Sequence, residues 1–191
     1  MTSFKTFLWE VIDRFTMAML SEVNRSVYER VVDFIYREVG LLDDRKYKEW
    51  LSLFADDAIY WIPRWRSETE VTEEPEDELN VLYLDKRRLE IYVERLLTGL
   101  AYAYEPPART TRLVSNVVIL DRKGDEIDSR AKFILHMFRA QPHELYGPRM
   151  QEVFSGDIYY KLKEEGDSFK IMMKKIVLIN ETVIGGEMYL F

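Results

Sequence analysis

Cysteine is absent from all 191 residues. That excludes disulfides, thiolate zinc sites and catalytic thiols. It also excludes an iron–sulfur cluster held by this chain, because even the histidine-ligated type takes two Cys. The absence fits a reducing compartment, and a cytoplasmic location is the expectation. Histidine is almost as scarce, with only His136 and His143. Gly and Pro number 8 and 6, and no low-complexity tract appears. Basic charge is in deficit, 27 Lys and Arg against 34 Asp and Glu. An acidic surface repels phosphate backbones, so no nucleic-acid partner is expected. No apolar run approaches a membrane span. Residues 1–20 are apolar-rich, but Glu10, Asp13 and Arg14 interrupt them. Phe4, Phe7, Leu8, Val11, Ile12, Phe15 and Met19 keep helical spacing, which reads as an N-terminal amphipathic helix rather than a signal peptide.

What is present reads as a folded domain over 21–191. Hydrophobic residues make up 47% and charged residues 32%, a globular balance. Val23, Val27, Val31, Phe34 and Ile35 form a helical stripe, with Gly40 as its stop. Asp43 and Asp44 offer an N-cap for a short helix carrying Tyr47, Trp50, Leu51 and Phe54. Ala58–Ile62 reads as a strand that Pro63 ends. Residues 64–80 hold Glu68, Glu70, Glu73, Glu74, Glu76, Asp77 and Glu78 around Pro75, an acidic surface loop. Its plain reading is a solvated excursion, and its sharper one an acidic contact for a basic partner. A long helix follows, with Leu89, Val93, Leu96, Leu97 and Leu100 on one face, broken at Glu105-Pro106-Pro107.

The last third is strand-like. Arg112–Leu120, Arg130–Arg139, Val153–Lys163 and Phe169–Ile179 are the segments, with turns at 121–125 and 164–167 and a longer connection over 140–150. Ala131, Phe133, Leu135 and Met137 face one way, Lys132, Ile134, His136 and Phe138 the other. Segregated helices and antiparallel strands give an α+β class, a strongly bent sheet wrapped around helices.

Signals for chemistry are weak. A two-His-one-carboxylate iron site would need both histidines and an acid, but the plainer account has one lining the sheet and one exposed. Asp56-Asp57 sits at a helix-to-strand junction, where a desolvated carboxylate would serve as a base and turn chemistry is the plainer role. Twelve Tyr and four Trp make the chain aromatic-rich. Tyr60, Trp61 and Trp65 cluster, and Tyr159 and Tyr160 take opposite faces of a strand. Such residues line pockets, but more often cores and subunit interfaces. No P-loop, dinucleotide fingerprint, nucleophile elbow or zinc-protease motif occurs. Gly185-Gly186 reads as a turn.

Several ordered segments point to a family. Residues 38–51 hold a Leu-Leu-Asp element at 41–43 followed by Tyr47, Trp50 and Leu51. Phe54–Pro63, Asp77–Asn80, Pro107–Asn116 with Arg109-Thr110 and Ser115-Asn116, Phe133–His136 and the tail Met188–Phe191 continue the pattern. Over roughly residues 25–191 the chain resembles the small (beta) subunits of aromatic-ring-hydroxylating dioxygenases.

That resemblance implies a cone-shaped α+β barrel shared with nuclear transport factor 2 and scytalone dehydratase. Helices would pack in the mouth of a curved, mostly antiparallel half-barrel. It implies a non-catalytic structural role, no metal or cofactor in this chain, and a large (alpha) subunit holding a Rieske cluster and a mononuclear iron. Copies of the small subunit would form a trimer within the complex. The rivals are a free-standing cone-fold dehydratase, isomerase or cyclase, with Asp57, Tyr60 and His136 as pocket candidates, and a small-ligand-binding module.

Overall fold

The computed structural model describes residues 26–99, 107–138, 151–180 and 190–191. The helix and stripe residues expected at 1–25, the helix break at 105–106, the connection at 140–150, His143 and Gly185-Gly186 lie outside them.

Helix α1 occupies residues 26–43. It buries Val27, Val31, Phe34, Ile35, Leu41 and Leu42. Gly40 does not stop it: the stripe continues through Leu41 and Leu42, and their burial outweighs the roughly 1 kcal/mol that Gly costs in a helix. Helix α2 (Tyr47–Leu51) turns Tyr47 and Trp50 inward. Neither Asp43 nor Asp44 caps it. Lys46 stands at the N-cap without a side-chain bond, and Asp43 bonds Arg112 instead. Phe54, expected on that helix, begins strand β1 (Phe54–Pro63).

Strand β2 (Asn80–Asp85) was not legible in the sequence. It pairs antiparallel with β1 and leads into helix α3 (Lys86–Leu97), whose N-cap Asp85 accepts from Arg88 N–H at 2.8 Å. Leu89, Val93 and Leu96 are buried, but Leu97 is exposed. Four long strands follow: β3 (Arg109–Lys123), β4 (Glu126–Phe138), β5 (Gln151–Glu165) and β6 (Ser168–Leu178).

The sheet order is β2-β1-β6-β5-β4-β3. Neighbours are antiparallel except β1 and β6, which run parallel. Register shifts interrupt β3 after Ser115 and Ile119, and β5 against β6 at Lys161/Leu162. Such bulges bend strands and raise their twist. At Gly156 an added Cβ would meet the Val177 carbonyl oxygen at 2.0 Å. Only glycine lets β5 and β6 approach there. The curved sheet and the helices share one apolar core that includes Val31, Ile35, Leu89, Leu135, Ile158 and Ile176. This is the expected α+β class.

The acidic loop is ordered by its own bonds. Trp65 bridges Val71. The Thr72 hydroxyl donates to the carbonyls of Leu79 at 2.8 Å and Arg64 at 3.2 Å. The Glu78 carboxylate accepts from Glu73 N–H at 3.1 Å.

Candidate functional site

The three pocket candidates lie apart. Asp57 is exposed on β1, at the rim of an open depression that also has Asp56, Lys163, Glu164 and Lys170 on its walls. Tyr60 faces the core with no exposed surface. Its hydroxyl accepts from Phe191 N–H at 3.0 Å, and burial pushes its phenol well above the ordinary value. His136 lies on the other face of the sheet, level with exposed Thr111 and Val153. Its Nε2 is buried without a hydrogen-bond partner. Nor do Tyr60, Trp61 and Trp65 form one cluster. Alternation puts Trp61 on the outer face, edge-on to Tyr83 at 6.2 Å and under the Lys175 ammonium at 3.9 Å. Trp65 Nε1 donates to the Leu178 carbonyl at 2.7 Å. Tyr159 and Tyr160 do take opposite faces, with Tyr160 buried.

Inside the sheet the chemistry centres on Glu38 and Lys174, both fully buried. Lys174 Nζ donates to Glu38 Oε1 at 2.6 Å and to the main-chain oxygen of Phe191. The Tyr160 hydroxyl donates to Glu38 Oε2 at 3.0 Å, and Trp50 Nε1 donates to Oε1. Burial pushes the Lys174 ammonium pKa down, and the Glu38 charge offsets part of that. Burial pushes the Tyr160 phenol well up, and Glu38 adds to the rise. Three donors thus meet one carboxylate, which a buried charge requires.

A second cluster adjoins it. Arg112 donates from its backbone N–H to Asp43 Oδ2 at 2.8 Å, and from its guanidinium to Asp43 Oδ1 and the Leu190 carbonyl. The Thr110 hydroxyl donates to Asp43 Oδ1 at 3.0 Å. Residues 190–191 are therefore held by Arg112, Lys174 and Tyr60. The Phe191 ring packs edge-on to Phe154 at 5.3 Å and Phe133 at 6.0 Å. Beside Leu190 a cavity of about 20 Å³ remains, bordered by Leu42, Arg45, Thr110 and Arg112 among others. That is room for about one water, where small-molecule pockets take several hundred Å³. The acids and bases here are engaged with one another and with residues 190–191.

Sequence reasoning did not single out Glu38, Lys174 or Arg112, and it read Asp43 as a helix cap rather than as the partner of Arg112. Glu38 carried a signal, a charge three residues past Ile35 on the α1 stripe. Lys174 carried none that alternation alone reveals. Burial alternates through Phe169 and Ile171, then slips one residue to Lys174, Ile176 and Leu178 at the bulge.

The residues present do not fit a Rieske cluster, for want of any cysteine. Among the described residues no three His, Cys, Asp or Glu side chains are grouped to hold a metal ion.

Comparison with known proteins fits this picture. The family described as ring hydroxylating beta subunit matches residues 37–184. The 2-halobenzoate 1,2-dioxygenase small subunit of Burkholderia cepacia is 33% identical over 159 residues, covering 83% of this chain and 92% of that one. The beta subunit of benzoate 1,2-dioxygenase from Burkholderia mallei superposes with a TM-score of 0.65 at 27% identity, over 82% of this chain and 93% of that one. A scytalone dehydratase candidate from Novosphingobium aromaticivorans shares the fold alone, with a TM-score of 0.59 at 11% identity over 83% and 87% of the two chains. A match over residues 37–184, most of the sequence, makes this chain a member of the ring hydroxylating beta subunit family.

Proposed function

We propose that the chain is the non-catalytic structural small subunit of a multicomponent Rieske non-haem iron aromatic-ring-hydroxylating dioxygenase, acting in aromatic compound catabolism. The cluster and the mononuclear iron then sit on a large (alpha) subunit, and copies of the small subunit form a trimer within a cytoplasmic complex. Residues 21–191 act as one unit, with the helix of 1–20 appended. Beyond family membership, one observation carries the reading: among the described residues, the Glu38–Lys174 pair and residues 190–191 occupy the sheet's interior, with a cavity of about 20 Å³ beside Leu190. A free-standing cone-fold enzyme needs a substrate pocket there.

Co-expression with a large-subunit candidate, sizing chromatography and iron analysis test this. The expected result is a large mixed assembly whose iron stays with the large subunit on separation. A small solitary oligomer that ignores the large subunit sinks the proposal and returns Asp57, Tyr60 and His136 to scrutiny as catalytic groups. In the mixed assembly His136→Ala is expected to alter packing between subunits more than turnover.

A further inference from the structure

The turn that ends α1 carries an arginine where the backbone favours glycine. Lys46 N–H donates to the Leu41 carbonyl at 2.8 Å and Arg45 N–H to the Leu42 carbonyl at 3.1 Å. These are the paired bonds of a helix closed by a left-handed residue, most often glycine. Arg45 takes that conformation, with φ 57°, at a steric cost that glycine escapes. A side chain kept at such a place is a pointer to use. The Arg45 guanidinium donates to the Ala108 carbonyl at 2.9 Å and borders the cavity beside Leu190. The carbonyl end of α1 would favour any cation nearby. The fork of a guanidinium has five N–H groups, and that one bond engages only one of them.

The same cavity has a second guanidinium in its wall. The Arg112 side chain is only 6% exposed. Its terminal nitrogens serve Asp43, Thr110 and the Leu190 carbonyl. Its Nε is buried without a partner, and a buried donor left unmade is costly, the more so when charged. The charges do not balance either. Asp43 answers Arg112, and Asp44 answers Lys46 at 3.4 Å. Among the described residues no carboxylate pairs with Arg45, so one positive charge is left over beside the cavity. Leu96, Leu135 and Met137 make the remaining wall apolar, and low polarity strengthens the attraction of charges. The cavity of about 20 Å³ admits one occupant the size of a water. A water would satisfy Nε and leave the charge.

We propose that this cavity is a binding site for a monatomic monovalent anion, with chloride as the occupant, held between Arg112 Nε and the Arg45 guanidinium. A polyatomic anion such as phosphate is too large for it. The ion ties the end of α1 to the start of β3 and, through Arg112, to residue 190. It makes the site a ligand-dependent lock on the fold, apart from any chemistry of a large subunit. The proposal does not depend on the small-subunit reading.

Thermal unfolding of the full chain in sodium chloride and in sodium gluconate at one ionic strength tests it, because matched screening leaves only specific binding. Tm is expected to be a few degrees higher in chloride and to climb with the logarithm of its concentration. Arg45→Gly suits the left-handed backbone, so it removes the guanidinium without straining the turn, and the chloride response should vanish. Should that variant fail to fold, Arg45→Gln takes its place with the same expected loss. Crystals of the full chain soaked in sodium bromide should show anomalous density within hydrogen-bonding reach of Arg112 Nε. Equal Tm in chloride and gluconate overturns the proposal, as does an Arg45 variant that keeps the full response. So does a water rather than bromide at Nε. Bromide at Nε without a chloride response in solution means an adventitious ion only, and overturns it as well.

Discussion

The two faces of the sheet each carry an exception to the usual assignment of polarity. The inner face, sealed by helices and residues 190–191, holds a buried acid, a buried lysine and two buried phenols. The outer face shows Leu113, Ile134, Val153 and Ile179 to solvent. Charge inside is tolerated because each group finds a partner, at a desolvation cost that pairing only balances. Apolar surface outside is tolerated when another chain removes it from water. The first face specifies how one chain closes on itself, and the second how it meets others.

Lys174→Met is expected to have the largest effect, because it strands the Glu38 charge without a cation. The cost is about 3–5 kcal/mol, or on the order of 10 °C in Tm for a chain of this size. Replacing both, Glu38→Leu with Lys174→Met, should recover most of it. Calorimetry on the two variants checks this, and a benign single substitution would show that the pair does not govern the inner face.

Tyr160→Phe removes one donor to Glu38 and should cost about 1–2 kcal/mol. It also changes the alkaline limb. The folded chain holds the Tyr160 proton more tightly than the unfolded chain does. That contribution is whole below the unfolded phenol pKa of about 10 and declines as pH rises above it, by up to roughly 1.4 kcal/mol per pH unit. Denaturant titrations above pH 10 should therefore show a shallower decline for the variant. Lys174, shifted down, works the other way, since the unfolded chain binds the extra proton and stability rises with pH. It is common to both proteins and drops out of the comparison.

On the outer face Leu113→Ser should move the unfolding free energy of the dissociated chain by no more than about 0.5 kcal/mol, while weakening association. Chemical denaturation at low protein concentration, set beside light scattering at high concentration, separates the two. Asp57→Asn is the smallest change, within about 0.5 kcal/mol in stability and without effect on turnover of the mixed assembly. Lost turnover in an intact, iron-loaded complex would give the small subunit a catalytic part.

Local periodicity made much of this legible. Ala131, Phe133, Leu135 and Met137 point inward as their alternation requires, and Val27, Val31, Phe34 and Ile35 form the buried stripe of α1. Strand β2 escaped because its six residues follow an acidic loop and gain their strand character by pairing with β1. Asp43 looked like a cap because Asp at a helix junction so often is one, yet a guanidinium from β3 claimed it. Asp57, Tyr60 and His136 were plausible companions only until the pleat sent Tyr60 and His136 to opposite faces.

The sequence by itself determined the class, the long strands, the exclusion of thiolate chemistry and the family pattern. These depend on residue identity and on spacings within a single element. The tertiary structure alone decided that β1 runs parallel to β6, that a bulge turns Lys174 rather than Lys175 inward, and that Glu38 meets it across 136 residues. Those outcomes depend on how the sheet curves and where desolvated charges find partners, which no local pattern encodes.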